Sequence, residues 1–319
     1  MNFLVTGGAG FIGSNIVRRL LEDGHRVRVL DNFSTGRRKN IEEFGKRIEI
    51  IEADITDLGS VEKAMAGVDY CLHQAALPSV ERSIKEPLRV SEVNIRGTLN
   101  VLVAAREAKV KRVIYASSSS IYGGGNEEKP GQEKSEQISP IREDSPPNPL
   151  SPYATTKLVG EHYGRLFTRL YGLEVVTLRY FNVFGPGQDP NSEYAAVIPR
   201  FIKAALRNES PTIYGDGRQS RDFTYVDNVV EANILAVQAK GKVAGENFNI
   251  ATGQNITINK LWSLISKLTK KEIKPFLALS RLGEVRHSLA DISRAGERLG
   301  YSLKVDFETG LARTIEYLK

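Results

Sequence analysis

Three groups of residues have the types and spacing to do chemistry. The first is the row Ser117 to Ser120 in ASSSSIYGGGN, which follows the apolar run KRVIYA and so sets hydroxyls at a strand end. A Ser/Gly loop that merely solvates a strand end has the same composition. The second is SPYATTK, in which Tyr153 and Lys157 stand four apart and share one side of a helix. A free phenol titrates near ~10 and is a poor base at neutral pH. A neighbouring ammonium and the positively charged ring of a bound cofactor both favour the phenolate, and so bring it toward the working range. The third is VTGGAGFIG, with Gly7, Gly10 and Gly13 at three-residue intervals. Glycines there permit a tight turn, let backbone N–H groups approach a pyrophosphate, and bring the following helix close to its sheet.

Each group needs an element to aim it. NFLVTG, HRVRVLD, RIEIIEAD, VDYCLHQA, KRVIYASS and LEVVTLRY read as six strands, with amphipathic stretches such as FIGSNIVRRLLEDG and VNIRGTLNVLVAAREAK between them. That alternation predicts an α/β fold, a Rossmann-type doubly wound parallel sheet covered on both faces. After about Arg179 the rhythm loosens around the helical stretches AAVIPRFIKAALRN and INKLWSLISKL. The expected division is a dinucleotide-binding domain over 1–179 and a smaller substrate lobe over 180–319, with about 223–250 returning to the main sheet. Ligands of such sheets collect beyond the carboxyl ends of the strands. The Pro/Gly-rich segment 123–149 reads as a lid or a flexible insertion.

Asp31 ends the second strand, 18 residues after Gly13. A carboxylate there accepts hydrogen bonds from an adenosine ribose and repels a 2′-phosphate. Arg37 and Arg38 could favour the phosphorylated dinucleotide, but Asp31 makes NAD the expected cofactor.

The bulk properties exclude much else. The chain has 319 residues, 41% hydrophobic and 26% charged, with a net charge of +6 from 44 basic and 38 acidic residues. This is the composition of an ordinary globular protein. No apolar run is long enough to span a bilayer, and the first strand begins without a signal-peptide pattern. The basic residues are scattered, so no nucleic-acid partner is expected. Four dispersed histidines and one cysteine, Cys71, give no metal-ligand spacing and no internal disulfide, which fits a reducing cytoplasm.

The sequence resembles the extended short-chain dehydrogenase/reductase proteins, and within them the nucleotide-sugar 4-epimerases. The residues that carry the likeness run the length of the chain: TGGAGFIG, DNFSTG, EADITD, HQAAL, VNIRGT, SSSSIYG, YATTK, RYFNVFGPGQDP, YGDGRQSRDFTYVDN and RLGEVRHS. The resemblance implies Ser118, Tyr153 and Lys157 as the catalytic residues. It implies Phe11, Ile12, Asn32, Asp54, Ile55, Ala75, Ala76, Asn94 and Tyr180 as further cofactor contacts, and a homodimer formed through the helices near 95–109 and 152–171. Related 4,6-dehydratases carry an acid pair after the catalytic hydroxyl, and related decarboxylases a glutamate. Here Ser119 and Ser120 occupy those positions, and serine cannot supply general-acid chemistry at pH 7. Epimerisation at C4 of a UDP-sugar is the expected reaction.

For the substrate, Arg221 and Arg281 have the fork-shaped guanidinium that matches a diphosphate. The resemblance adds Asn182 at the diphosphate, Glu284 at the ribose, and Thr212 and Tyr214 around the uracil. Ser288 stands where relatives restricted to plain hexoses tend to carry tyrosine. Ala195, Ala196 and Val197 make AAVIP small, and Pro78 replaces a lysine of some hexose-specific relatives. The expected pair is UDP-N-acetylglucosamine and UDP-N-acetylgalactosamine, with UDP-glucose and UDP-galactose as further candidates. The alternatives are a UDP-glucuronate or N-acetylated uronate 4-epimerase, a 4,6-dehydratase or decarboxylase, and a catalytically silent NAD sensor.

Overall fold

The computed structural model describes residues 1–123, 138–192, 195–279 and 285–319. Seven strands make the main sheet: β1 Asn2–Thr6, β2 Arg26–Asp31, β3 Ile48–Glu52, β4 Tyr70–His73, β5 Arg112–Ser118, β6 Glu174–Tyr180 and β7 Asn247–Ile250. Their order is β7-β6-β5-β4-β1-β2-β3, and every neighbouring pair is parallel. Strands covered on both faces need unbroken apolar runs, and β5 and β6 are buried almost throughout. The edge strand β3 shows only its first residue buried. The chain reverses direction across the sheet between β1 and β4, which opens a crevice at their carboxyl ends.

Helix α1, Phe11–Glu22, follows β1 directly and buries Ile16, Val17 and Leu20. Helix α2, Leu58–Met65, and helix α3, Thr98–Glu107, pack together on the opposite face. The expected helix over VNIRGTLNVLVAAREAK is wider than α-helical over Glu92–Gly97. Asn94 sits in that wide turn, where it accepts from the N–H of Leu77 at 2.8 Å and donates to Thr156 Oγ1 at 3.1 Å. Wide turns of this kind recur at functional sites.

The helix that matters most is α4, Pro152–Tyr171. Ser151 caps its start by accepting from the N–H of Ala154, proline fills its first position, and Gly172 ends it in a left-handed conformation. At Gly160 an added Cβ would lie 2.2 Å from the hydroxyl oxygen of Tyr115. Only glycine lets α4 settle onto β5 at this depth.

Beyond β6 the chain builds small pieces. Val183–Phe184 pairs with Thr224–Tyr225, Ser220–Arg221 with Ile256–Thr257, and Thr212–Tyr214 with Phe276–Ala278. Helices α5 Val197–Leu206, α6 Val226–Gln238, α7 Ile258–Thr269 and α8 Phe307–Leu318 surround them. One apolar core runs from Val5 and Ile16 under the sheet to Phe201, Trp262 and Phe307 in this lobe. A second, containing Met65, Leu102 and Phe167, fills the other face. Cys71 is buried, and its thiol is pushed up to about 12 by burial, which makes it inert. Among the described residues no helix is long and apolar enough to cross a membrane, and no His/Cys/Asp/Glu group could hold a metal.

Candidate active site

Strand β5 brings Ala116 and Ser117 to the lining of the crevice and ends at Ser118, and α4 brings Tyr153 and Lys157 to the same lining. Lys157 Nζ donates to the carbonyl of Ala116 at 2.7 Å and lies 5.9 Å from the centre of the Tyr153 ring. Tyr153 shares a hydrogen bond with the Ser118 side chain. Ser118 Oγ also accepts from the N–H of Ser120 at 3.1 Å, the start of the short turn Ser119–Tyr122. The Ser120 hydroxyl is buried and has no partner among the described residues.

Burial shapes the electrostatics. It brings Lys157 down to about 8, with the charge of Glu161 pulling the other way. It also raises the Tyr153 phenol, against the hydrogen bond from Ser118. The lowering expected from the ammonium together with the positive nicotinamide ring belongs to the NAD-loaded site. Lys157 spends its hydrogen bond on the backbone carbonyl of Ala116, so in the protein's own field desolvation dominates at the phenol.

Behind the pair lies a fully compensated network. Glu161 accepts from Ser117 Oγ at 2.6 Å, from Arg179 at 2.9 and 2.7 Å, and from Asn247 at 3.1 Å. Arg179 further donates to the Tyr122 hydroxyl at 2.6 Å, and that hydroxyl donates to Asn249 at 2.7 Å.

A cleft of about 460 Å³ runs from these groups along the strand ends. It is lined by Gly7, Gly10, Phe11, Ile12 and Gly13 on the glycine turn, by Asp31, Asn32, Asp54 and Ile55 after β2 and β3, and by Ala75, Ala76 and Pro78 after β4. Tyr153, Lys157 and Tyr180 complete it, whereas Asn94 stands behind Leu77 rather than in the lining. The cleft fits a dinucleotide. A Cβ on Gly13 would lie 2.1 Å from the Gly7 carbonyl, so the turn is as tight as a chain can make it. Gly10 begins α1 without a capping side chain, and the first turn holds no acid, which leaves its N–H groups to an anion.

Asp31 is held by the N–H groups of Ala9 at 2.9 Å and Phe33 at 2.8 Å, while burial raises its carboxyl. Both nearby arginines are engaged. Arg37 pairs with Asp189 at 3.1 Å, and Arg38 pairs with Glu52 and lies over the Phe33 ring. Neither stands ready for a 2′-phosphate.

A second cavity of about 450 Å³ opens beside the cleft. Asn182, Ala196, Val197, Thr212, Tyr214 and Arg221 line it. Asn182 donates to the carbonyl of Asp222 at 3.0 Å, and Arg221 Nη1 to that of Ser220 at 2.9 Å. Ala195 and Ala196 line both spaces. Ser288 does not join them: it is buried, its N–H donating to the Ser220 carbonyl at 3.1 Å, and it lines neither cavity. Arg281, Glu284 and most of the 123–149 segment lie outside the described residues.

Of the serine row, Ser117 lines the cleft, whereas Ser118, Ser119 and Ser120 line neither space; the structure adds Gln74, Gln188 and Asp189 in the cleft, and Arg200 and Gln219 in the cavity. Gln188 and Asp189 belong to GPGQDP, a stretch already part of the resemblance. Gln74 and Gln219 likewise belong to HQAAL and YGDGRQSRDFTYVDN, whereas nothing local marked Arg200.

The sequence pattern of the NAD dependent epimerase/dehydratase family matches residues 3–251. The UDP-N-acetylglucosamine 4-epimerase of Methanobrevibacter ruminantium M1, solved with UDP-N-acetylmuramic acid, is 42% identical. That likeness covers 99% of this chain and 97% of that one, with a TM-score of 0.90. The UDP-glucose 4-epimerase of Thermotoga maritima, solved with UDP-glucose, is 39% identical over 100% of this chain and 98% of its own, with a TM-score of 0.91. The UDP-glucose 4-epimerase of Mycolicibacterium smegmatis is 38% identical over 323 residues, covering 100% of this chain and 99% of its own. The glycine turn, Asp31 and the Tyr153/Lys157 pair thus belong to a member of the NAD dependent epimerase/dehydratase family, and its cofactor is NAD.

Proposed function

We propose that this protein inverts C4 of a UDP-sugar and interconverts UDP-N-acetylglucosamine with UDP-N-acetylgalactosamine, accepting UDP-glucose and UDP-galactose as well. The observation that carries the reading is the sharing of Ala195 and Ala196 by the two cavities, which sets a second chamber beside the cleft that holds Tyr153, with two small side chains at their common boundary. Ser288 carries none of that argument, because it lines neither space. Arg221 and Asn182 would hold the diphosphate, Thr212 and Tyr214 the uracil, and the hydroxyls of Ser118, Ser119 and Ser120 the sugar. Arg281 and Glu284 belong to the same proposal by resemblance alone.

Gly7, Gly10, Gly13, Asp31 and Lys157 would hold NAD, which when bound supplies the acceptor that takes a hydride from C4 and gives it back. Tyr153 accepts the proton of the 4-hydroxyl and later returns it, with Ser118 bridging the sugar oxygen and the phenol. Lys157, kept near its titration point by burial, provides the positive charge that the phenolate needs. Loss of the C4 hydride and the hydroxyl proton leaves a flat ketone; once that sugar has turned over in the site, return of the hydride to the opposite face of C4 and of the proton to its oxygen inverts the centre. Ser119 and Ser120 offer no carboxyl to expel water, so the reaction stops at inversion. The reading takes the chain as a homodimer, for which the exposed Leu166, Leu170 and Tyr171 of α4 supply an apolar face.

The test is incubation of the NAD-loaded protein with UDP-GlcNAc, UDP-Glc and UDP-glucuronate, with products resolved by NMR. UDP-GlcNAc should turn over fastest, by a factor of order ten, since a pocket of this kind discriminates by only ~1–3 kcal/mol. A strong preference for either of the other sugars would overturn the substrate assignment. Accumulation of a 4-keto product would overturn the reaction.

A further inference from the structure

Residues 185–189, GPGQD, leave the short strand Val183–Phe184 of the C-terminal lobe and run beside the cofactor cleft. Side chains from the other end of the chain fasten them there. Asn15, on α1, donates to the carbonyl of Pro186 at 3.1 Å. Arg37, in the loop after β2, donates to the carbonyl of Gly187 at 3.3 Å and pairs with Asp189 at 3.1 Å. Gln188 and Asp189 thereby line the same cleft as Gly10 and Asp31. The Gln188 Oε1 atom is buried and has no donor among the described residues, so the wall offers an acceptor that the protein itself leaves unused.

We infer that residues 185–189 form a further wall of the NAD site, and that the Arg37–Asp189 pair sets how fast NAD leaves. The glycine turn and Asp31 grip the dinucleotide from the sheet, and the wall closes on it from the lobe. The pair that fastens the wall is about one-third exposed on both sides. Ion pairs of that exposure hold weakly, which suits a fastening that opens and closes. This inference concerns the cofactor and is independent of which sugar is turned over.

The sign of one variant separates a wall from simple charge attraction. In Asp189→Asn, Arg37 is freed to attract the pyrophosphate and an opposing negative charge is gone. Direct electrostatics would therefore slow the loss of NAD, whereas an unfastened wall speeds it. The experiment loads the full chain with isotopically labelled NAD, dilutes it into excess unlabelled NAD, and follows the label retained after rapid gel filtration. Asp189→Asn and Arg37→Gln should each release NAD about fivefold faster than the parent, and the double variant no more than about twice as fast as either. Both side chains lie on loops at the surface, and an unchanged melting temperature confirms that the variants are folded. Release from Asp189→Asn that is unchanged or slower than from the parent would overturn the inference, whatever Arg37→Gln does.

Discussion

Lys157 and Glu161 stand one turn apart on the buried side of the same helix, and the chain treats their charges in opposite ways. Glu161 is fully buried and meets Arg179, Ser117 and Asn247, so each oxygen has a donor. Lys157 is nearly as buried, yet its one hydrogen bond among the described residues goes to a neutral carbonyl. Burial accordingly brings the lysine down to about 8, while the Arg179 guanidinium beside Glu161 is raised. The difference teaches how to tell scaffold from reaction centre in this fold. A compensated charge fixes geometry, and an uncompensated one is held ready for a ligand. Ser117 joins the two regions, because its hydroxyl is tied to Glu161 while its chain neighbours, Ala116 and Ser118, touch Lys157 and Tyr153.

The sharpest way to break this contrast is at the reacting end. Tyr153→Phe should lower the inversion rate by about 10³-fold, the scale of a lost general base, with an unchanged melting temperature. A variant that keeps most of its rate would remove the phenol from the mechanism. At the scaffold end, Arg179→Met strands the Glu161 carboxylate and should cost ~3–5 kcal/mol in urea unfolding. A cost no larger than that of a surface substitution would show that the network is not the anchor described here.

The third comparison is subtler and depends on pH. The unfolded lysine titrates near 10.5 and the folded one near about 8, so the unfolded chain holds its proton more tightly. Below pH 8 the folded protein carries the full penalty of that buried charge. The penalty fades as pH rises from about 8 to 10.5, so the parent gains stability across this window. Lys157→Met, which removes the charge, should therefore be more stable than the parent at pH 7 by ~1–3 kcal/mol, and this advantage should shrink toward zero near pH 10.5. Denaturant melts of both proteins at pH 7 and pH 10 measure it, and an advantage equal at both would contradict the assignment.

Much of this was legible beforehand because it is local. Strands covered on both faces write themselves as runs such as FLVT and RVIYA, and the glycine turn, Asp31 and the Tyr153/Lys157 spacing each lie within one βαβ step or one helical turn. What escaped depends on where distant segments meet. Asn15 and Arg37 find their partners more than a hundred residues away, and neither GPGQDP nor the arginine shows this by itself. Ser288 was read from its place in a motif, but the backbone pairing of Ser220 with 286–288 draws it away from the chamber it was expected to line. The burial of the phenol escaped for a related reason. Desolvation is a property of the packed site, and neighbouring charges are all that a sequence displays.

The position of β7 has a consequence for how the molecule comes into being. Asn247–Ile250 closes the sheet beside β6, although the glycine turn and Asp31 were translated some two hundred residues earlier. During synthesis β6 must wait with one edge bare until that late strand emerges, and Asn247 reaches Glu161 only then. The nascent chain thus acquires its cofactor grip early, but the frame around Lys157 is finished only when most of the polypeptide has been made.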